Sequence, residues 1–421
     1  LPSRTMPRWL ILADDLTGAA DCAVAFARRG HAAAVTWAEN GGEADEAVLA
    51  IDADSRRLIA RDAADRHAAL LRPRLRPGLA LYKKIDSTLR GQPAAELAAT
   101  LTTLEECRPP ALAVVAPAFP DTGRTTEGGR IRLNGAPLED SPLWAREHSY
   151  ANADLYAVLE GVGLPTALLP LAALRGGPEA VAAAMRHALS ARCRALVCDS
   201  ATTSDLETIA RARGLLEFEP VWVGSGGLAA ALASAEQPGQ DPPLPRLPAA
   251  RGGLLLVVGS LAEASRAAAD HALAQGGLRH FGIPPALLHA GPVGWNVMAR
   301  EIAAAIAARE DVLAMIEAEP GADLRQGAPL ALALAELLQP AASQAGGLFA
   351  TGGETARALL SRLGVQSIRL LEEVAPGVPF GLTRGARRLP VVTKAGGFGD
   401  TEIIRHVRHR LHAWLQEETA A

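Results

Sequence analysis

The sequence predicts two α/β domains with mainly parallel sheets and a ligand site in the cleft between them. Two observations carry this. Short runs of Val, Leu and Ile repeatedly give way to longer Ala/Leu/Arg stretches with helical spacing, as in buried parallel strands joined by helices. The pattern is interrupted by "SAEQPGQDPPLPRLPAARGG" (234–253), dense in proline and glycine and without periodicity, after which it restarts.

Taken in order, strands are expected at "WLILA" (9–13), "AVTW" (34–37), "AVLAID" (47–52), "LALYKKI" (79–85), "LAVVAP" (112–117), "ALVCD" (195–199) and "VWVG" (221–224). These form a domain over 1–235, with a linker at 236–252 and a second domain over 253–421. The second opens with "LLLVVGS" (254–260), continues through the helix-like "LAEASRAAADHALAQ", and adds strands at "GLFATGG" (347–353) and "LPVVTKAGG" (389–397). In the last helix Ile403, Ile404, Val407, Leu411, Trp414 and Leu415 share one face, a core stripe.

Composition narrows the function. With 421 residues, 49% hydrophobic and 21% charged, the chain can bury two or three cores. A net charge of −4 with dispersed arginines gives no footprint for nucleic acid and points to a small-molecule partner. Cys22, Cys107, Cys193 and Cys198 contain no CxxC pair and the ten histidines no HExxH, so neither disulfides nor a metal site held by protein ligands is expected. The opening "LPSRTMPRWL" lacks the apolar run of a signal peptide, and no stretch reaches the roughly 20 apolar residues of a membrane span. A cytoplasmic protein is expected.

In open α/β sheets ligands bind at the carboxyl ends of strands, so the polar residues after each apolar run matter most. Asp14 and Asp15 follow the first strand and start a helix. Paired carboxylates there can hold sugar hydroxyls, accept a proton or bind hydrated Mg²⁺, or they can simply cap the helix. Arg56, in "IDADSRR", is either a clamp for a carboxylate or a solvated arginine.

The third place is "YKKIDSTLRGQ", which delivers Lys84, Asp86, Ser87 and Thr88 at a strand end. Of 42 basic residues only Lys83, Lys84 and Lys394 are lysine, so a surviving ammonium marks a site that needs a compact point charge. "APAFPDTGRTTEGG" (116–129) offers hydroxyls, backbone N–H groups and Arg124 to an anion. In the second domain "VVGSLAEAS", "FATGGETARALL" and "VVTKAGGFGDTEII" each join strand to helix through small residues, as phosphate-binding turns do.

Common nucleotide motifs are missing. No lysine has the GxxxxGK[ST] context of a P-loop. "VWVGSGGLAAALA" has GxGxxA spacing, but the acidic residue due about 20 positions later would fall in the linker.

Together, "LADDLTGAAD", "DSR", "YKKIDSTLRG", "APAFPDTGRTT", "LNGAPLED", "GSGGLAAALA", "GSLAEAS", "TGGETA" and "KAGGFGD" resemble, in this order from about residue 10 to about 400, the four-carbon acid sugar kinase family. The resemblance implies an N-terminal sugar-binding domain, a C-terminal nucleotide-binding domain, and ATP-dependent phosphorylation of the terminal hydroxyl of a tetronate. By motif, Asp15, Arg56, Lys84, Asp86 and Ser87 would contact the acid sugar. Ser260, the turn of Gly352, Gly353, Glu354 and Thr355, and the turn of Gly396, Gly397 and Gly399 would hold ATP.

The "KKIDST" form is closer to the threonate or erythronate branch than to 3-oxo-tetronate kinases. The chain departs from the family in "EDSPLWAREHSY" and at Ala395, where Ser or Thr is common.

For the chemistry, Asp15 or Asp86 is expected to orient and deprotonate the attacking hydroxyl, with Asp400 as a rival base. Arg124 and the other cations would grip the carboxylate, while Mg²⁺, the glycine turns and Lys394 would support the phosphates. Competing readings are a non-catalytic sugar-acid sensor and a dehydrogenase using the Gly224 turn. A homodimer is also entertained.

Overall fold

The structure, a computed structural model, describes residues 8–37, 46–107, 109–141, 144, 149–240, 252–260, 262–318 and 327–420. Most of the expected linker, and much of "EDSPLWAREHSY", lies outside these residues. The strands are β1 (Trp9–Ala13), β2 (Ala33–Thr36), β3 (Val48–Asp52), β4 (Ala80–Lys84), β5 (Ala113–Ala116), β6 (Arg124–Glu127), β7 (Arg130–Leu133), β8 (Ala136–Pro137), β9 (Thr166–Leu169), β10 (Ala195–Cys198) and β11 (Val221–Gly224). They continue with β12 (Leu254–Val258), β13 (Arg279–Ile283), β14 (Val312–Ile316), β15 (Gly347–Thr351), β16 (Val365–Ala375), β17 (Val378–Gly385) and β18 (Pro390–Lys394).

The described chain divides into two units, 8–33 with 46–240 and 34–37 with 252–420. In the first, parallel strands run in the order β3-β1-β4-β11-β5-β10-β9. Strands β1, β3 and β4 are buried along their whole length, which is why they read as unbroken apolar runs. The chain goes from β1 to β3 on one side and then to β4 on the other, so a topological switch point falls at β1. A small antiparallel sheet, β6-β7-β8, carries Arg124 at its start.

In the second unit the order is β13-β14-β12-β15-β18-β17-β16, with β17 antiparallel to both neighbours. Strand β2 adds to β16, and the Thr36 hydroxyl donates to the Gln366 carbonyl (2.9 Å). The last helix, Ile403–Ala420, buries Ile403, Ile404, Val407, Leu411 and Trp414, the stripe its spacing predicts. Among the described residues no helix is long and apolar enough to cross a membrane.

Candidate active site

Register brings the first cluster together. Ala13 lies opposite Asp52, Leu12 opposite Lys83, and Gly224 opposite Lys84, so the carboxyl ends of β3, β1, β4 and β11 form one edge. Asp14 and Asp15 leave β1 at this edge, at the switch point. Asp15 caps the helix Leu16–Ala27: its Oδ1 accepts from the Gly18 amide (3.0 Å) and its Oδ2 from the Thr17 hydroxyl (2.7 Å). Capping and site membership, posed as alternatives by the sequence, coexist in one side chain.

Arg56 is no solvated arginine. Its Nε donates to Asp14 Oδ2 (2.6 Å) and its Nη2 to Asp14 Oδ1 (3.1 Å), a two-pronged pairing, while Nη1 donates to Asp15 Oδ2 (3.0 Å). Lys84 Nζ lies 3.6 Å from both Asp14 Oδ1 and Asp15 Oδ1. Asp86 receives Arg90 through Nη2 (2.7 Å) and Nε (3.2 Å), and the amide (2.9 Å) and hydroxyl of Thr88. Ser87, half-buried, belongs to the same turn. Two non-glycine residues here have left-handed backbones, Asp54 (φ 51°) and Leu89 (φ 57°), a strained conformation that clusters at functional sites.

The charges fix protonation. Burial alone would raise the Asp15 pKa, but Arg56, Lys84 and the Thr17 hydroxyl outweigh it and hold the carboxyl at about 2. Asp86 is likewise held well below the carboxylate range by Arg90, Arg56 and Lys84 against the desolvation that opposes them. Burial disfavours the Lys84 ammonium, and Asp14 and Asp15 more than offset it, so its pKa rises. Burial lowers the Arg124 pKa, and Asp86, Arg90 and Asp21 all act on it, so its guanidinium feels the field of this cluster. Four carboxylates (Asp14, Asp15, Asp86, Asp21) thus act with four cations (Arg56, Lys84, Arg90, Arg124), a dense and balanced set of charges. Such an edge offers a ligand both cationic heads for a carboxylate and carboxylate oxygens for hydroxyl groups.

A second polar group lies behind this edge. Side chains alternate along β4, so Lys83 points away from Lys84 into the core, where Nζ sits 2.8 Å from Glu96 Oε2. The other carboxylate oxygen of Glu96 accepts from the Ser55 hydroxyl (2.6 Å), which also lies 3.0 Å from His67 Nε2. Burial first, then Lys83, lowers the His67 pKa, so the ring is neutral.

The second unit collects its own residues. Val258 pairs with Thr351 and Thr351 with Lys394, so the three small-residue turns leave one sheet edge side by side. A Cβ on Gly396 would fall 2.3 Å from Ser260 Oγ, and one on Gly259 2.0 Å from Thr355 Oγ1, which measures how closely the turns meet. Gly352 (φ 91°) starts the helix Gly353–Arg362, with Glu354 and Thr355 in its first turn. Gly399 is also left-handed (φ 77°). Lys394 turns back into its own loop, its Nζ donating to Phe398 O. Asp400 accepts from the Glu402 amide (3.0 Å) at the start of the last helix.

The Gly224 turn has a packing explanation. Added Cβ atoms would fall 2.6 Å from Ala116 O at Gly224, 2.3 Å from Asp21 Oδ2 at Gly226 and 2.7 Å from Ala118 O at Gly227. These glycines let a helix lie against its neighbours. Sequence reasoning weighs Asp14 only as one of a carboxylate pair, gives Arg90 no ligand role, places Ser55 at a strand end without a role, and misses His67 and Glu96 entirely. The strand-end position of the DD and DSTLR motifs was the available signal for the first two.

Comparison with known proteins agrees with this division. Residues 9–232 match the model of a sugar-binding N-terminal domain and 255–404 that of a nucleotide-binding C-terminal domain. A D-threonate kinase from Cupriavidus necator is 42% identical over 407 residues, covering 94% of this chain and 96% of that protein. A D-erythronate kinase from Heliobacterium modesticaldum is 32% identical over 436 residues, covering 94% and 95%. The crystal structure of Haemophilus influenzae protein HI1011 matches with a TM-score of 0.72 over 96% of this chain and 100% of that one, at 19% identity, which speaks for the fold alone. A sugar-binding unit followed by a nucleotide-binding unit defines a two-domain small-molecule kinase. The chain belongs to the four-carbon acid sugar kinase family.

Proposed function

We propose that this protein is an ATP-dependent kinase that phosphorylates the 4-hydroxyl of a four-carbon acid sugar, with D-threonate ahead of D-erythronate and 3-oxo-tetronate. The observation that carries this reading is the set of buried cationic heads gathered at the switch point of the first unit, beside carboxylates able to hold hydroxyl groups. An acid sugar presents that combination: one carboxylate and a row of hydroxyls.

Arg124 and Lys84 supply the charge for the substrate carboxylate, and Arg56 keeps Asp14 and Asp15 in place. Ser87 contributes a hydroxyl. Asp15, more exposed than Asp86, is the better placed to orient the attacking hydroxyl and take its proton, and Asp86 secures Arg90 and Arg56. Neither carboxylate is tuned toward neutral pH. Phosphoryl transfer tolerates this, because it depends on alignment and charge neutralisation more than on a strong base.

In the second unit Ser260, Gly352, Gly353, Glu354, Thr355, Gly396, Gly397 and Gly399 are assigned to ATP. Mg²⁺ takes hard oxygen donors and is usually held through one or two carboxylates plus phosphates, and Glu354, in the first turn of the helix Gly353–Arg362, would be the carboxylate to hold it there. It would neutralise phosphate charge during transfer.

The test is ADP release against D-threonate, D-erythronate and 3-oxo-tetronate. Turnover of one of them supports the kinase. Binding of an acid sugar without ADP release from any of the three would support the sensor reading instead.

A further inference from the structure

Lys394 ends β18, and its side chain is fully buried. Its Nζ donates to Phe398 O (2.6 Å), Ser265 Oγ (3.0 Å), Ala395 O (3.2 Å) and Gly396 O (3.3 Å). The Ser265 hydroxyl in turn donates to Gly396 O (2.8 Å). All four atoms around the ammonium are uncharged oxygens, three of them carbonyls of one turn. A bound monovalent cation is coordinated in the same way.

Peptide geometry then dictates what the other side of the turn presents. In a trans peptide the C=O and the following N–H point in opposite directions. Carbonyls of Ala395, Gly396 and Phe398 drawn onto Nζ therefore aim the N–H groups of Gly396, Gly397 and Gly399 away from it. The Phe398 N–H between them turns inward to Ala395 O (3.2 Å), so three N–H groups remain on the outer side of the turn for an anion, and a cation behind them adds its field. Gly397 and Gly399 are exposed, and the Ser260 hydroxyl borders Gly396.

We propose that Lys394 acts as a tethered monovalent cation, a positioning residue that shapes the Ala395–Gly399 turn into a nest for a polyphosphate chain without touching the phosphates. This rests on reading the second unit as the nucleotide-binding domain. It adds which part of the nucleotide the turn takes and what holds the turn in shape. An ammonium that merely satisfied carbonyls would leave phosphate affinity indifferent to its charge.

Calorimetry on Lys394→Met, nearly isosteric and uncharged, separates the two. The folded variant should bind ATP and tripolyphosphate about 10-fold more weakly or worse, roughly 1.4 kcal/mol, while adenosine affinity is unchanged. Wild-type affinity for ATP in a folded variant overturns the proposal.

Should the variant not fold, wild-type protein labelled with ¹³C at lysine Cε gives three signals to follow by NMR. Burial lowers the Lys394 pKa to about 8, and saturating tripolyphosphate should raise that midpoint by roughly half a unit or more, as a nearby anion favours the charged form. A midpoint that stays put with tripolyphosphate bound also overturns it. Failure of wild-type protein to bind ATP at all would instead count against the nucleotide reading itself.

Discussion

Lys83 and Lys84 are consecutive residues on β4 whose ammonium groups face opposite sides of the sheet. Lys83 sits 2.8 Å from Glu96 Oε2 inside the core, and Lys84 sits 3.6 Å from Asp14 and Asp15 at the strand-end cluster. The chain uses arginine almost everywhere else. Both lysine positions call for a compact charge on a thin stem, since each ammonium is surrounded by packed side chains.

The inner pair makes a stability prediction. Glu96→Gln leaves the Lys83 charge buried without its counter-ion and should cost about 3–5 kcal/mol, read from urea denaturation. The double variant Lys83→Met/Glu96→Leu removes both charges and should recover most of that loss. Equal stability of the two variants would contradict the pairing.

A second prediction concerns acid. The Asp15 carboxyl, at about 2 in the folded chain against an ordinary 3.8, contributes stability that is fully present above pH 3.8 and lost as pH falls through about 2. The contribution is about 2 kcal/mol. Asp15→Asn should therefore be less stable than wild type at pH 6, and the gap should shrink toward pH 2.

Gly18 tests the cluster directly. A Cβ there would lie 2.3 Å from Lys84 Nζ and 2.5 Å from Asp15 Oδ1, so Gly18→Ala must push both the lysine head and the capping carboxylate aside. Alanine favours a helix by about 1 kcal/mol over glycine, which offsets only part of that disturbance, so the melting temperature should fall modestly. The acid-sugar KM should increase about 10-fold while that for ATP stays constant, the size expected for roughly 1.4 kcal/mol of lost binding. A variant with wild-type KM would remove Lys84 from the substrate site.

Arg56→Lys keeps the charge and loses the fork that pairs both oxygens of Asp14. We expect kcat/KM to fall about 100-fold, roughly 2.7 kcal/mol, with no gain from raising pH. Full activity would mean that charge alone suffices at this position.

The elements legible in the sequence are those buried on both faces. β1, β3, β4, β12, β15 and β18 read as apolar runs, and the polar residues after them mark the candidate sites. β13, with two exposed and two half-buried residues, gives no such run, and neither does the hairpin that starts at Arg124. β14 carries the same signature, five buried apolar residues, and is not among the strands expected from the sequence. The pairing of Arg56 with Asp14 spans 42 positions, and no local pattern encodes it. Glu96 looks from spacing like any solvated helix carboxylate, because its partners Ser55, His67 and Lys83 arrive from other elements.

All three lysines are almost wholly inaccessible to solvent, with relative exposures of 0% (Lys83), 5% (Lys84) and 0% (Lys394). Acetylation, ubiquitin conjugation and amine-directed crosslinking each need an ε-amino group they can reach, and the folded chain offers them none. Post-translational control through these three lysines is closed while the chain stays folded, and such a mark on any of them would report a chain that had already opened.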